Sequence, residues 1–237
     1  MKPTLTILLL ALALGTGCAA HQATHSSSAG ALARENEASL SYIESFYENL
    51  LSTRRPDLAA RYGLKPRTSE FEPLTEGDLP AHVRDLRLML SDVSVLPPSE
   101  RADTLRARLT RELTDCGPEG ALRRDPLLWL DIVEAAVAAP YAVGPASGCD
   151  RTHRAEQRLR AIPEALRGAV VLLRDAPPPD SAAFEARLAR LEQLLRQDLP
   201  SRTDACKEAQ RLAEFAEADT LAAASLMEFR RSLAPAR

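Results

Sequence analysis

DPLLWLDIVEAAVAA, residues 125–139, is the stretch that decides the fold of this chain. Asp125 and Pro126 form a helix start, because aspartate is a favoured N-cap and proline is tolerated in the first turn. The residues that follow are apolar nearly all round, and only Asp131 and Glu134 carry charge. A helix without a polar face is typical of the centre of a bundle. We therefore predict that the other helices pack around this one.

Composition and periodicity extend this prediction to the whole chain. Hydrophobic residues make up 45% of the 237 residues and aromatic residues only 4%. The abundant Ala, Leu, Arg and Glu are strong helix formers. Apolar residues recur three or four positions apart on both sides of the central stretch. The fold class predicted is all-α, an irregular bundle of about seven or eight helices.

The helices before the central stretch are bounded by prolines and glycines. The pattern predicts a helix from about Ser39 to Pro56, a short one over 57–62, one over 79–93, and one capped by Ser99. The first should bury a stripe of Leu40, Ile43, Phe46, Tyr47, Leu50 and Leu51, and the last a stripe of Ala102, Leu105, Leu109, Leu113 and Cys116.

After the central stretch, residues 140–149 form a breaker-rich loop and a candidate sub-boundary. A helix over 150–173 follows, which Pro163 is expected to kink or split. A helix capped by Asp180 or Ser181 should close at Leu199-Pro200. Ser201 and Asp204 are a candidate capping pair for the last helix, which keeps an apolar seam to about Leu233 with Asp219 as its acidic interruption.

The first 18 residues, MKPTLTILLLALALGTGC, have the layout of a bacterial lipoprotein signal. Lys2 precedes an apolar run that is too short to span a bilayer, and small residues lead to a cysteine. We expect residues 1–17 to be removed and Cys18 to be fatty-acylated, with palmitate as the expected chain. Gly15 stands where such signals usually have leucine. The alternative is ordinary cleavage after Ala19 or Ala20, which would release a soluble protein.

Residues 18–38 are predicted to form a lipidated, flexible tether, followed by a helical domain over 39–237. The residue after the cysteine is not the aspartate that retains many lipoproteins in the inner membrane, so we expect an outer-membrane anchor that faces the periplasm. His21 and His25 in the tether are four apart, but the neighbouring Gln22 cannot act as a base and no third ligand is close by. We predict no metal site and no cofactor.

Three cysteines follow Cys18, and in an oxidising compartment two of them can pair. The favoured candidate disulfide joins Cys116 to Cys149. These cysteines flank one helix and a loop, so the bond would close a short segment of the chain. The alternative joins Cys149 to Cys206.

Two clusters of charged residues could act at a site, and each also has a structural interpretation. Asp131 and Glu134 share a helix face. Two carboxylates held together in an apolar setting could have raised pKa values and do acid–base work. The structural interpretation is that they pair with arginines. Arg151, His153, Arg154, Arg158 and Arg160 could bind an anionic group or form a solvated face. The net charge of −3 argues against a nucleic-acid partner.

Three segments, residues 46–64, 123–131 and 158–169, resemble in order and spacing the N-terminal helical half of the bacterial family catalogued as domain of unknown function number 885. Members of that family are often lipoproteins or secreted proteins, and their C-terminal half resembles zinc metallopeptidases. No His-Glu-x-x-His motif is found in this sequence. The resemblance therefore implies the helical half without its metallopeptidase activity.

Together these features predict a lipid-anchored envelope protein with a non-catalytic helical domain that interacts with or supports other proteins. The membrane, through the N-terminal lipid, and a protein are the partners expected. The alternative is an enzyme, either a hydrolase that uses Asp131 and Glu134 or an accessory subunit of a metallopeptidase-like system.

Overall fold

A computed structural model describes residues 30–64, 70–142, 147–203 and 205–233. Its helices, numbered in chain order, are α1 (30–54), α2 (Pro56–Arg61), α3 (Leu79–Ser94), α4 (Glu100–Asp115), α5 (Ala121–Arg124), α6 (Pro126–Ala142), α7 (Gly148–Leu172), α8 (Ser181–Gln193), α9 (Leu199–Ser201) and α10 (Ala209–Leu233). A π-helical turn, Leu194–Asp198, joins α8 to α9. The described residues contain no strand, and the prediction of an all-α bundle is confirmed.

Helix α1 begins earlier than the sequence indicated. Residues 30–38, which we expected in a flexible tether, are helical. They are held to α4 by Arg101, whose guanidinium binds the carboxylates of Glu37 and Glu44. The prediction that Phe46 is buried is wrong. Its side chain is exposed, and the side chain of the neighbouring Tyr47 is buried.

Helices α2, α3 and α4 follow the predicted order closely. Gly63, with φ 67°, lies just after α2, in the left-handed region where glycine is favoured. The Ser99 side chain accepts a hydrogen bond from the backbone N–H of Ala102, at 3.2 Å, and caps α4 as predicted. Helices α3 and α4 pack on each other.

Helix α6 is the central helix, as its sequence predicted. Leu130, Val133, Ala136 and Val137 have no exposed surface, and the helix contacts α2, α7 and α8. Trp129 is also buried, and its indole N–H donates a hydrogen bond to the Leu122 carbonyl at 3.0 Å. An indole is buried at low cost only when its N–H has a partner.

Helices α7 and α10 run side by side in the same direction. A disulfide joins Cys149, in the first turn of α7, to Cys206, just before α10, and Arg160 of α7 pairs with Glu217 of α10. A Cβ on Gly148 would lie 2.5 Å from the Cβ of Ala205, so the close approach beside the disulfide requires glycine. Helix α7 continues through Pro163 without splitting.

The helices on the two sides of the candidate boundary over 140–149 pack on each other and share one hydrophobic core. Residues 143–146 lie outside the described part of the chain.

The last helix starts at Ala209 rather than near Ser201, because 205–208 form the loop that carries Cys206 to its disulfide. Asp204 of the candidate capping pair lies outside the described residues, and Ser201 belongs to α9.

Within the part of the chain that the structure describes, no helix combines the length and the hydrophobicity that a membrane span requires.

Candidate functional site

The two carboxylates that the sequence singled out on α6 are ion-paired with α8. Nη2 of Arg187 lies 2.5 Å from Oδ1 of Asp131 and 3.0 Å from Oε2 of Glu134. Nη2 of Arg190 lies 3.0 Å from Oε1 of Glu134. Each carboxylate thus has at least one arginine as a direct partner. The pair therefore joins α6 to α8, which is the structural interpretation that the sequence left open.

The basic residues at the start of α7 do not form one surface. Arg160 lies at the surface and binds the Glu156 carboxylate, while Nη1 of Arg211 lies 2.8 Å from Nδ1 of His153. Arg158, in contrast, has no exposed surface at all. Arg158 is therefore not part of a surface that could bind an anion.

Arg158 binds backbone carbonyls of two other helices. Its Nη1 donates to Ala136 O at 3.3 Å, and its Nη2 donates to Ser52 O at 3.2 Å. In a continuous helix each of these carbonyls would accept from the N–H four residues later. Those positions are Pro140 and Pro56, which have no N–H. The guanidinium therefore takes the place of both missing donors, and burial lowers the pKa of Arg158 to about 10.

A second set of buried polar groups lies where α1, α2, α3 and α4 meet. We call it the buried polar cluster: Tyr47, Arg55, Asp57, His82, Glu112 and Asp115. Nε and Nη2 of Arg55 bind the two oxygens of Asp57 at 3.0 and 2.9 Å, and Nη2 also lies 3.3 Å from Oδ2 of Asp115. Burial by itself lowers the pKa of Arg55, but the charge and hydrogen bonds of Asp57 outweigh it, and the pKa lies above its ordinary value.

His82 and Glu112 form the other half of the cluster. Nε2 of His82 lies 2.8 Å from Oε1 of Glu112, and neither side chain has exposed surface. Tyr47 lies beside this pair, where burial and the Glu112 carboxylate raise the pKa of its hydroxyl. A histidine and a carboxylate at this distance can exchange a proton. Both side chains are closed off from solvent, and the pair joins α3 to α4.

Sequence reasoning missed this cluster, although a signal was present. Leu79, His82, Leu86, Met89 and Val93 make one unbroken buried stripe on α3. On α4 the buried stripe passes through Glu112, where we had assigned Leu113. A histidine and a glutamate that occupy core positions on neighbouring helices are expected to hydrogen-bond to each other, because a buried polar group needs a partner.

The favoured disulfide, Cys116–Cys149, is wrong. The structure joins Cys149 to Cys206, with the two Cα atoms 4.4 Å apart, and leaves Cys116 as a buried free thiol. Short separation in sequence misled the prediction, because α6 carries the chain about 25 Å away between Cys116 and Cys149. Burial and the nearby Glu112 raise the pKa of Cys116 to about 12, so its thiol stays protonated and unreactive.

Asp219 interrupts the seam of α10, as the sequence indicated. Its Oδ1 is buried and has no hydrogen-bond partner among the described residues. Burial raises the pKa of Asp219 to about 6, and the nearby Arg196 opposes that shift. The folded protein therefore binds this proton more tightly than the unfolded chain does.

Stability should consequently fall as the pH rises from about 4 to about 6. We expect Asp219→Asn to remove this dependence and to raise the free energy of unfolding at pH 7 by about 1–2 kcal/mol. Urea unfolding at several pH values measures the effect. Glu228→Gln, an exposed change on the same helix, is the control, and equal pH profiles for wild type and Asp219→Asn would contradict the assignment.

The described residues contain no group of three or more His, Cys, Asp or Glu side chains placed to hold a metal ion. Cys18, His21 and His25 lie outside the described residues.

Comparison with protein families, with curated proteins and with solved structures finds no match to this chain. The resemblance to the helical half of family 885 therefore stays a prediction.

Proposed function

We propose that this chain is a lipid-anchored bacterial envelope protein whose helical domain acts by interaction or support and not by catalysis. The observation that carries the proposal is the order of features in residues 1–18: a basic residue, a short apolar run, small residues and Cys18. Ala19 after the cysteine favours the outer membrane, with the domain facing the periplasm.

The disulfide supports an exported location. Cys149 and Cys206 are bonded, and structural disulfides persist in oxidising compartments such as the periplasm. The state of Cys116 is compatible with the same location, since a buried thiol is protected from the oxidants around it.

The non-catalytic role is supported by what the charged side chains contact. Asp131 and Glu134, on which the hydrolase alternative depends, are each held by arginines of α8. His82 and Glu112 bind each other inside the core. Each of these side chains is paired with a residue of a neighbouring helix. This supports a role in which the domain contacts a partner through its surface.

Metabolic labelling tests the anchor. Cells that express the wild-type chain and are grown with an alkyne-tagged palmitate should yield a labelled protein, and Cys18→Ala should abolish the label because the acyl acceptor is gone. Cys116→Ala is the matched control, since it removes a buried cysteine and should leave the label unchanged. Equal labelling of wild type and Cys18→Ala, or no labelling of either, would contradict the proposal.

A further inference from the structure

The exposed apolar side chains of the domain are concentrated on two helices. Seven large hydrophobic residues are exposed within the described ranges. Five of them belong to α1 and to α3 with its C-terminal turn: Leu32, Tyr42, Phe46, Leu88 and Val95. The most exposed are Val95 at 82% and Tyr42 at 73%.

Three of these residues, Leu32, Tyr42 and Val95, lie around two adjoining depressions. Tyr42, Val95 and Leu96 line the groove between α1 and the end of α3. Leu96 also lines the adjacent depression, which contains Leu32 and the exposed Pro97 and Pro98. We call this surface the apolar end face: Leu32, Tyr42, Val95, Leu96, Pro97 and Pro98. Apolar residues grouped in this way usually mark a surface that meets another phase or molecule.

We propose that the apolar end face rests on the surface of the bilayer to which Cys18 is anchored. This inference depends on the proposed lipid anchor and deepens it. The chain between Cys18 and Gly30, where α1 starts, can reach at most about 40 Å even when fully extended. Leu32 lies in the first turn of α1, so the end of the bundle that carries the face is the end that the lipid holds near the membrane.

The chemistry of the face selects the kind of membrane. An exposed tyrosine prefers the membrane–water interface, where its ring is apolar and its hydroxyl is hydrated. Glu35, Glu37 and Asp92 line the two depressions, whose described linings contain no lysine or arginine, and Glu37 is ion-paired with the nearby Arg101. The carboxylates of Glu35 and Asp92 suit the ammonium groups of zwitterionic headgroups and repel anionic lipids. The docking is therefore shallow, and phosphatidylethanolamine or phosphatidylcholine supports it better than phosphatidylglycerol.

Quenching by brominated lipids tests the docking in the full lipidated protein. Trp129 is 1% exposed, so its emission provides a constant background. Tyr42→Trp and Val95→Trp place a reporter on the face, and Leu221→Trp places one at an exposed apolar position of α10 as the matched control. Each variant is purified from membranes and reconstituted into vesicles of phosphatidylethanolamine and phosphatidylcholine with or without bromine on the acyl chains.

We expect the added fluorescence at positions 42 and 95 to be quenched and that at position 221 to be unaffected. Addition of phosphatidylglycerol should weaken the quenching. Vesicle flotation is recorded in the same samples. Flotation without quenching at 42 and 95 overturns the docking alone, and blue-shifted but unquenched emission from the Tyr42→Trp variant shows that protein covers the face instead. Failure to float contradicts the anchor and therefore the docking as well.

Discussion

Arg158→Met is expected to lower the free energy of unfolding by about 3–5 kcal/mol, because it leaves two buried carbonyls without donors. Ser52 O and Ala136 O accept from Arg158. Pro56 and Pro140 stand where the helical donors to these carbonyls would be, so the backbone alone cannot replace the guanidinium. Methionine keeps much of the side-chain volume, and the loss therefore reports mainly the hydrogen bonds.

A double-mutant cycle identifies the cause. In a Pro140→Ala background the new N–H of residue 140 can bond Ala136 O, so Arg158→Met should cost about 1 kcal/mol less than it does in the wild type. Arg167→Met, an exposed change on the same helix, should alter stability by no more than about 0.5 kcal/mol. Denaturant unfolding followed by circular dichroism measures all of these variants. An equal loss in both backgrounds would contradict the role given to Pro140.

Arg55→Ala is the second change with a large expected effect, a loss of about 3–5 kcal/mol. It leaves the Asp57 carboxylate, whose side chain is 3% exposed, buried without its bidentate partner. An uncompensated buried charge is costly because the protein interior cannot solvate it as water does. The loss should appear as a lower denaturant midpoint with an unchanged slope.

Removal of both charges separates this cause from simple loss of packing. Arg55→Met combined with Asp57→Leu should be much less destabilised than Arg55→Ala, since the buried Asp57 charge is removed too and only Asp115, whose side chain is 19% exposed, loses a partner. Arg61→Ala, at the exposed end of α2, should change stability by no more than about 0.5 kcal/mol. If Arg55→Ala costs no more than Arg61→Ala, the buried ion pair does not hold α2 in place.

Periodicity predicted the helices well, because the burial of an apolar stripe is a local property of the sequence. The central position of α6, the cap at Ser99 and the end of α2 before Gly63 all follow from short-range chemistry. Prolines were less reliable as guides. Helix α6 passes through Pro140 because a side chain that is distant in sequence takes the freed carbonyl, and local sequence does not reveal such a donor.

The polar core was missed for a related reason. Charged residues are usually exposed, so the sequence places Arg158 in a charged cluster and Leu113 on the inward stripe of α4, and it does not single out Glu112. Each occupies a core position because its partner lies on another helix. The disulfide shows the same limit, since α6 separates Cys116 from Cys149 while the parallel packing of α7 and α10 brings Cys206 close.

Mass spectrometry of the N-terminal peptide, taken from the membrane fraction, tests the anchored-protein proposal most directly. The proposal predicts that the mature chain begins at Cys18 and that this residue carries covalently bound fatty acyl chains. An unmodified peptide that begins after Ala19 or Ala20, or one that retains Met1, would contradict it.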